Sequence, residues 1–275
     1  MPKEIMNTKI INIGKKAKKS AGILSTADTE QKNKALYEIA KALDRNKSKL
    51  LLMNQRDVGK AKYKLSSTLL ARLKLNEDKI YEIFKGVNIV LNLDEPVGMT
   101  LSAKELDNGL ELYQVTCPIG VIGIIFESRP DAVVQISSLC LKSGNAVILK
   151  GGSEAKHSNK TLVDILSRAA EQHGIPKGAI QFIETREQVS QMLKLDNYID
   201  LLIPRGSGQF VKYIQDNTKI AVLGHSEGIC HVYVDRDADL HKAVGISFDA
   251  KCQYPAVCNA METLLVHKGI AENFL

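Results

Sequence analysis

The residue whose chemistry is clearest in this sequence is Cys258, which lies in the stretch 250–263. Its thiol stands between a turn that contains Pro255 and a short run of small, helix-compatible residues. Backbone N–H groups at such a place can lower the pKa of a thiol and also hold an oxyanion, so the segment indicates a nucleophile. The alternative is a structural role, because free cysteine is among the most buried residue types. This segment alone leaves both interpretations open.

Two glycine-containing turns are candidates for binding phosphate, since each follows a predicted strand and precedes a predicted helix. The first turn offers a lysine that acts by charge and a serine that acts by hydrogen bonding. Its candidate residues are Lys150, Ser153 and Glu154. The candidates in the second turn are Arg205, Gly206, Ser207 and Gly208. A G-x-G-x-x-G fingerprint fails there because Val211 takes the place of the third glycine, and either turn could be an ordinary tight loop.

The bulk composition is that of an ordinary globular protein, with 275 residues, 44% hydrophobic and 25% charged, and a net charge of +6. No apolar run is long enough for a membrane span and no signal peptide is evident, so we expect a cytoplasmic protein without a membrane partner. The early lysines suit the solvated face of a helix, and without a reading module they do not predict nucleic acid as a partner. The spacing of the cysteines and histidines predicts reduced thiols and no metal.

The elements that must position these residues follow from the hydrophobic pattern. Apolar residues at helical spacing between positions 36 and 87 predict a group of helices. A strand–turn–strand pattern over residues 97–116, with Asn108-Gly109 at its turn, predicts a β-hairpin in which both turn residues have positive φ. Beyond it, predicted strands alternate with predicted helices, which is typical of a parallel sheet with helices on both faces. The strands span residues 120–126, 146–150, 180–183, 200–203, 221–223 and 230–234, and the helices 132–141, 159–173, 188–193 and 208–214.

Several segments together resemble the aldehyde dehydrogenase superfamily, and within it the family of gamma-glutamyl phosphate reductases, or glutamate-5-semialdehyde dehydrogenases. They occur in the family's order and cover nearly the whole chain. The segments are residues 126–131, 142–154, 198–206, 228–235 and 257–263. The resemblance extends to the reductase half of bifunctional pyrroline-5-carboxylate synthases, which implies an association with glutamate 5-kinase.

The resemblance implies an α/β fold of the aldehyde dehydrogenase type, with a Rossmann-type parallel sheet and a β-hairpin arm. It implies NADP(H) as cofactor and reduction of L-glutamyl 5-phosphate to L-glutamate 5-semialdehyde in proline biosynthesis, by a homo-oligomer when complete. Cys258 would form a thioester with the substrate. Candidates for holding the oxyanion or the substrate are Ser128, Arg129 and Asn259, and the two glycine turns would bind the cofactor.

Two departures from the wider superfamily bear on the reaction. Val222 takes the place of the glutamate that activates water in hydrolytic members, and Ser128 takes the place of an oxyanion-binding asparagine. Glu227 and Glu262 are poor replacements for that base, because they fall in a loop and at a strand edge. Without the base, the thioester is expected to exchange with phosphate. A hydrolytic aldehyde dehydrogenase remains the alternative within enzymes.

The length of the sequence is the remaining departure, because members of the family are substantially longer. The pattern predicts a dinucleotide-binding domain over residues 1–222 and the N-terminal part of a catalytic domain over 223–275. We therefore expect a truncated catalytic domain whose own activity is in doubt. A catalytically inactive binding or assembly module is the alternative from outside the enzymes.

Overall fold

The structure is a computed structural model, and it describes residues 8–127, 129–224, 228–255, 257 and 259–275. The chain divides into two compact units. The first comprises Met1–Gly206 and Phe210–Gly224, and the second comprises Ser207–Gln209 and His225–Leu275. The functional boundary expected after residue 222 stays a prediction. Within the described ranges, no helix is both long and apolar enough to cross a membrane.

The first unit begins with a group of amphipathic helices. These are α1 (Thr8–Leu24), α2 (Thr29–Arg45), α3 (Lys47–Ala61), α4 (Ser67–Leu73) and α5 (Glu77–Leu91). The apolar spacing continues from position 69 to 87 and suggests one helical stretch. In the structure the helix is interrupted between α4 and α5. The Asn76 side chain accepts a hydrogen bond from the backbone N–H of Lys79 at 2.9 Å, so it caps the start of α5 and sets the break.

The predicted hairpin is present as β1 (Thr100–Asp107) and β2 (Leu110–Val115), which pair antiparallel. The expectation that both turn residues have positive φ is wrong, because only Gly109 does, at 76°. The register shifts between Glu105 and Asp107, and this irregularity lets the chain reverse with a single left-handed residue. Apart from Ser102, every residue of the two strands is exposed, so the hairpin has no core of its own.

Five parallel strands form the sheet of the first unit, in the order β5-β4-β3-β6-β7. The strands are β3 (Val121–Ile125), β4 (Ala146–Lys150), β5 (Ile180–Phe182), β6 (Leu201–Pro204) and β7 (Ala221–Val222). The helices between them are α6 (Pro130–Lys142), α7 (Lys156–Gln172), α8 (Arg186–Met192) and α9 (Gly208–Asp216). This alternation confirms the predicted α/β fold.

Successive side chains of a strand point to opposite sides of the sheet. Both faces are buried, because helices pack against each of them. Ile122 and Ile124 join a cluster with residues of α2, α5, α6 and α7. Val121 and Ile125 join a second cluster with residues of α1, α8 and α9. The sequences of the central strands are therefore continuous apolar runs. The polar residues that follow these strands lie at the carboxyl ends of the strands.

The second unit contains β8 (His231–Val234), α10 (Leu240–Cys252), β9 (Thr263–Val266) and α11 (Ala271–Phe274). The pattern predicts a strand over residues 230–234 as part of the alternating series, but β8 pairs instead with β9 in a separate parallel sheet. Helix α10 was not predicted. Its apolar side chains Val244, Ile246 and Phe248 are all exposed, so they do not trace a buried stripe of helical period.

Candidate functional site

The carboxyl ends of β3, β4 and β6 meet at one edge of the parallel sheet. The chain runs outward from β3 through β4 to β5, and then continues from the other side of β3 through β6 to β7. Ligands of open α/β sheets bind at such a reversal of strand order. The N–H of Phe126 donates to the carbonyl of Lys150 at 3.0 Å, and the N–H of Arg205 donates to that of Ile125 at 2.7 Å. The two glycine turns therefore leave the same edge of the sheet.

Lys150 is a half-buried cation at the end of β4. Burial lowers its pKa below the ordinary 10.5; the carboxylate of Glu154 opposes that shift, and the charge of Arg186 adds to it. An ammonium group that is partly removed from water gains more from an anion than a fully solvated one does. Lys150 is thus suited to hold a negatively charged part of a ligand.

Gly151 lets the backbone after Lys150 pass close to two side chains. A Cβ atom there would lie 2.1 Å from Nδ2 of Asn159 and 3.1 Å from Cε2 of Phe126. Asn159 is fully buried, and within the described ranges neither polar atom of its carboxamide has a hydrogen-bond partner. A buried polar group of this kind usually bonds to a water or a ligand. The closely packed glycine and the orphaned carboxamide therefore fit a turn that receives a cofactor.

Ser153 and Glu154 occupy the 3-10 turn Ser153–Ala155, which joins β4 to α7. The Ser153 side chain is exposed, and its hydroxyl lies 3.5 Å from Oε2 of Glu154. The turn therefore presents a hydroxyl and a carboxylate beside the ammonium of Lys150. A hydroxyl and a carboxylate suit the hydroxyl groups of a ribose, whereas the ammonium suits a phosphate.

Arg205 and Gly206 follow β6 and are exposed. A Cβ atom on Gly206 would lie 3.1 Å from Cδ1 of Phe210 and 3.3 Å from Oε1 of Glu127, so the turns after β3 and β6 approach each other closely. The structure thus brings Arg205 and Gly206 to the edge that carries Lys150. Ser207 and Gly208 fall within the second unit, and their part in cofactor binding stays a prediction.

The candidates for acyl chemistry are placed only in part. Cys258 and Ser128 lie outside the described residues. The guanidinium of Arg129 pairs with the carboxylate of Asp131 at 2.8 Å, just before and within the first turn of α6. Asn259 is exposed. The roles predicted for these residues at the substrate remain predictions.

The chain on either side of Cys258 corrects one expectation. The helix-compatible run after the cysteine forms no helix: residues 259–262 are a turn and an extended connection to β9. The N–H of Met261 donates to the carbonyl of Ala250 at 2.8 Å, and the N–H groups of Glu262 and Thr263 both donate to the carbonyl of Cys230, at 2.9 and 3.1 Å. These bonds hold the end of the loop against α10 and the start of β8, so the backbone leaves the loop as a strand.

The other cysteines differ in accessibility. Cys140 is buried, and burial raises the pKa of its thiol to about 12, so it stays protonated at neutral pH. Cys117 and Cys252 are exposed, and Cys230 is partly so. Cys117, Cys140 and Cys252 are free thiols. The exposed Cys252, at the end of α10, is the natural comparison for Cys258.

A buried carboxylate that was not predicted anchors the helix behind the Lys150 turn. Asp57, on α3, is 2% exposed and accepts hydrogen bonds from His157 and Ser158 in the first turn of α7. From His157 it receives the backbone N–H at 3.1 Å and lies 2.7 Å from Nδ1; from Ser158 it receives the N–H and the hydroxyl, each at 2.7 Å. His157 is therefore a satisfied histidine, as expected, but its partner lies 100 residues away. Spacing in the sequence cannot reveal such a pair.

Replacing Asp57 with alanine is expected to lower the free energy of unfolding by about 3 kcal/mol, because buried N–H and hydroxyl groups at the start of α7 would lose their acceptor. The matched control is Asp164→Ala, which removes an exposed carboxylate from α7 and should change the free energy of unfolding by less than about 0.5 kcal/mol. Urea unfolding of the two variants provides the measurement. Equal stability of the two would show that Asp57 does not anchor the turn.

Known proteins match this chain over nearly its whole length. A family model described as "Aldehyde dehydrogenase family" matches residues 3–275. The gamma-glutamyl phosphate reductase of Methanococcoides burtonii is 57% identical over 265 residues, which are 94% of this chain and 59% of that protein. The gamma-glutamyl phosphate reductase of Pelotomaculum thermopropionicum is 54% identical over 264 residues, which are 96% of this chain and 61% of that protein. The chain thus spans about three-fifths of the length of these relatives.

Solved structures also match nearly the whole chain. The gamma-glutamyl phosphate reductase of Thermotoga maritima superposes with a TM-score of 0.89 at 40% identity, covering 96% of this chain and 65% of the other. The gamma-glutamyl phosphate reductase of Saccharomyces cerevisiae gives a TM-score of 0.75 at 44% identity, covering 98% of this chain and 69% of the other. An acetylating aldehyde dehydrogenase of Geobacillus thermoglucosidasius, at 20% identity and a TM-score of 0.68, shares the fold.

Proposed function

Since the chain belongs to the aldehyde dehydrogenase family, we propose that it serves the NADPH-dependent reduction of L-glutamyl 5-phosphate to L-glutamate 5-semialdehyde in proline biosynthesis. The observation that carries this proposal is the 57% identity, over 94% of the chain, to a gamma-glutamyl phosphate reductase. The turn at Lys150 agrees with it, since a partly buried cation beside a closely packed glycine suits a phosphate-bearing cofactor.

The proposed chemistry begins at the thiolate of Cys258. Its sulfur attacks the acyl carbon of the substrate, the bond from that carbon to the phosphate oxygen breaks, and inorganic phosphate leaves as the thioester forms. When bound, NADPH supplies the hydride that reduces the acyl carbon. Asn259, Arg129 and Ser128 are proposed to stabilise the negative charge on the acyl oxygen. The tetrahedral oxyanion that results on the cysteine then collapses: its carbon–oxygen double bond re-forms and its carbon–sulfur bond breaks, which releases the aldehyde and restores the thiolate.

The proposed cofactor contacts follow the sheet edge. Lys150 would bind phosphate by charge, while Ser153 and Glu154 would hold the adenosine ribose through their oxygen atoms. Arg205 and the turn that follows it would contact the diphosphate. Supporting this assignment, the residues of the first unit leave neighbouring strands at the point where ligands bind in open α/β sheets.

A hydrolytic aldehyde dehydrogenase is the less favoured function. Val222 lies in β7 with an aliphatic side chain that packs against the apolar cluster of α1, α8 and α9. Such a side chain cannot take a proton from water, so water would be a poor acceptor of the acyl group. The relatives described above are named as reductases of an acyl phosphate, which agrees with this interpretation.

Assembly and location belong to the same proposal. The β1–β2 hairpin exposes apolar side chains, among them Leu101 and Tyr113, and an isolated two-stranded ribbon is only marginally stable. A homo-oligomer in which the hairpin pairs with a neighbouring subunit would cover them. We also propose a cytoplasmic location and an association with glutamate 5-kinase, whose product would be the substrate of this reaction.

Replacing Lys150 with alanine is expected to raise the Kd for NADPH roughly tenfold and that for NADH less than about threefold, because only NADPH carries a 2′-phosphate for the ammonium to bind. Titration of each cofactor, followed by nicotinamide fluorescence, measures both constants. Lys34→Ala, on the exposed side of α2, controls for the change in net charge. Equal weakening of both cofactors by Lys150→Ala would remove its proposed role.

Reductase activity itself is tested by following NADPH oxidation with glutamyl phosphate in a turnover-competent preparation. The proposal predicts that one phosphate is released for each NADPH consumed. Oxidation of NADPH by unphosphorylated aldehydes or acids alone, with no response to glutamyl phosphate, would contradict it.

A further inference from the structure

A second cation, Arg186, lies next to the Lys150 turn. The N–H of Ile183, which follows β5, donates to the carbonyl of Leu149 in the neighbouring strand β4 at 2.9 Å. Arg186 comes three residues after Ile183, and Lys150 comes directly after Leu149. Because β4 and β5 are adjacent and parallel, both cations leave the sheet at the same edge.

The connection from β5 to Arg186 is fixed by a capping box. The hydroxyl of Thr185 accepts from the N–H of Gln188 at 3.1 Å, and the Gln188 side chain accepts from the N–H groups of Thr185 and Glu184, at 3.0 and 2.8 Å. These bonds set the residue at which α8 begins. Arg186 therefore starts from a defined backbone position, and its side chain is exposed.

The charges around Arg186 leave it available to an anion. Glu184 lies closest to it in sequence among the acids before α8, but its carboxylate pairs with Lys156 at 2.7 Å, and the pKa of Glu184 is lowered chiefly by that hydrogen bond. In the described ranges, Arg186 forms no ion pair. The charge of Arg186 also lowers the pKa of Lys150, although burial lowers it more. The two like charges therefore repel each other, and a dianion between them would relieve the repulsion.

We propose that Arg186 binds the 2′-phosphate of NADP(H) together with Lys150, and that it decides the preference for NADP(H) over NAD(H). This inference rests on the proposed function. A guanidinium offers a planar fork of donors that matches phosphate oxygens, whereas Lys150 contributes charge.

The balance of charge explains why Arg186 would be decisive. Glu154 faces Lys150, and its carboxylate favours the free 2′-hydroxyl of NAD(H) while repelling a phosphate. Lys150 and Glu154 alone make the turn neutral. Arg186 adds a second cation whose charge acts on Lys150, and this favours the phosphorylated ribose. The specificity is therefore assigned to the arginine that follows the neighbouring strand.

Binding of two small probes tests this inference on the 275-residue chain without requiring turnover. Adenosine 2′,5′-bisphosphate carries the 2′-phosphate, and 5′-AMP lacks it. Arg186→Gln should weaken the bisphosphate roughly tenfold or more and 5′-AMP less than about twofold in calorimetric titrations, while Arg186→Lys should restore part of the difference. Arg168→Gln removes an exposed arginine far along α7 and should change neither.

The outcomes separate this inference from the proposed function. If the unchanged chain prefers the bisphosphate and Arg186→Gln keeps the whole preference, Arg186 is not the determinant, although the use of NADPH stands. If the unchanged chain shows no preference for the bisphosphate, both this inference and the proposed cofactor are overturned. Circular dichroism of Arg186→Gln verifies that α8 and its surroundings remain folded.

Discussion

Replacement of Cys258 by serine is expected to abolish reduction of the acyl phosphate, with a loss of at least about a thousandfold in kcat. A serine hydroxyl at neutral pH is a far weaker nucleophile than a thiolate, so the covalent intermediate would not form. The rate of NADPH oxidation with glutamyl phosphate, in a turnover-competent preparation, measures this loss. Binding of NADPH should stay within about twofold, since the substitution removes chemistry and not the cofactor turn.

The matched variant is Cys252→Ser. Cys252 is an exposed thiol at the end of α10, six residues before Cys258, and its replacement should leave most of the activity. Alkylation with iodoacetamide, mapped by peptide mass spectrometry, distinguishes the two thiols. Protection of Cys258 by substrate, with Cys252 still labelled, is the expected pattern. Full activity of the Cys258→Ser variant would refute the assignment of the nucleophile.

Oxidation of glutamate semialdehyde, the reverse reaction, is expected to require phosphate or arsenate. On the proposed function, Val222 stands where hydrolytic members of the superfamily have the water-activating base, so the thioester should pass its acyl group to phosphate oxygen. Loss of general-base assistance predicts a reaction at least about a hundredfold slower in phosphate-free buffer. The rate of NADPH formation with and without phosphate measures the difference.

Sulfate at equal ionic strength is the control for this requirement, because it supplies negative charge and is a poor acyl acceptor. Arsenate should replace phosphate and drive continuous oxidation, since the acyl arsenate hydrolyses by itself. Rapid formation of glutamate in buffer that contains neither phosphate nor arsenate would identify a hydrolytic enzyme instead.

The parallel sheet was predictable because its signal is local. The run Ala146–Lys150 is four apolar residues closed by a lysine before two glycines, and β4 has these bounds in the structure. Buried parallel strands produce such continuous runs, and glycine turns mark their ends. The hairpin is also marked by a local signal, Asn108-Gly109, although the φ of Asn108 is not positive as predicted.

What was missed depends on contacts between distant residues or on weak patterns. Asp57 reaches His157 and Ser158 across about 100 residues, so no spacing indicated it. Helix α10 exposes Val244, Ile246 and Phe248, and therefore lacks the stripe that marks an amphipathic helix. The run after Cys258 has residues compatible with a helix, but the bonds to the carbonyls of Ala250 and Cys230 make it extended. For Asp57 and for the run after Cys258 the deciding contacts are tertiary, and for α10 the exposed apolar side chains remove the pattern on which a prediction depends.

The most direct test of the account is a single-turnover measurement in the oxidative direction. The turnover-competent preparation is mixed with glutamate semialdehyde and NADP⁺ in phosphate-free buffer, and NADPH formation and the mass of the cysteine peptides are followed together. We predict a burst of about one NADPH per active site, a glutamyl adduct on Cys258, and release of the adduct when phosphate is added. Continuous NADPH formation without phosphate, or an adduct on any other cysteine, would contradict it.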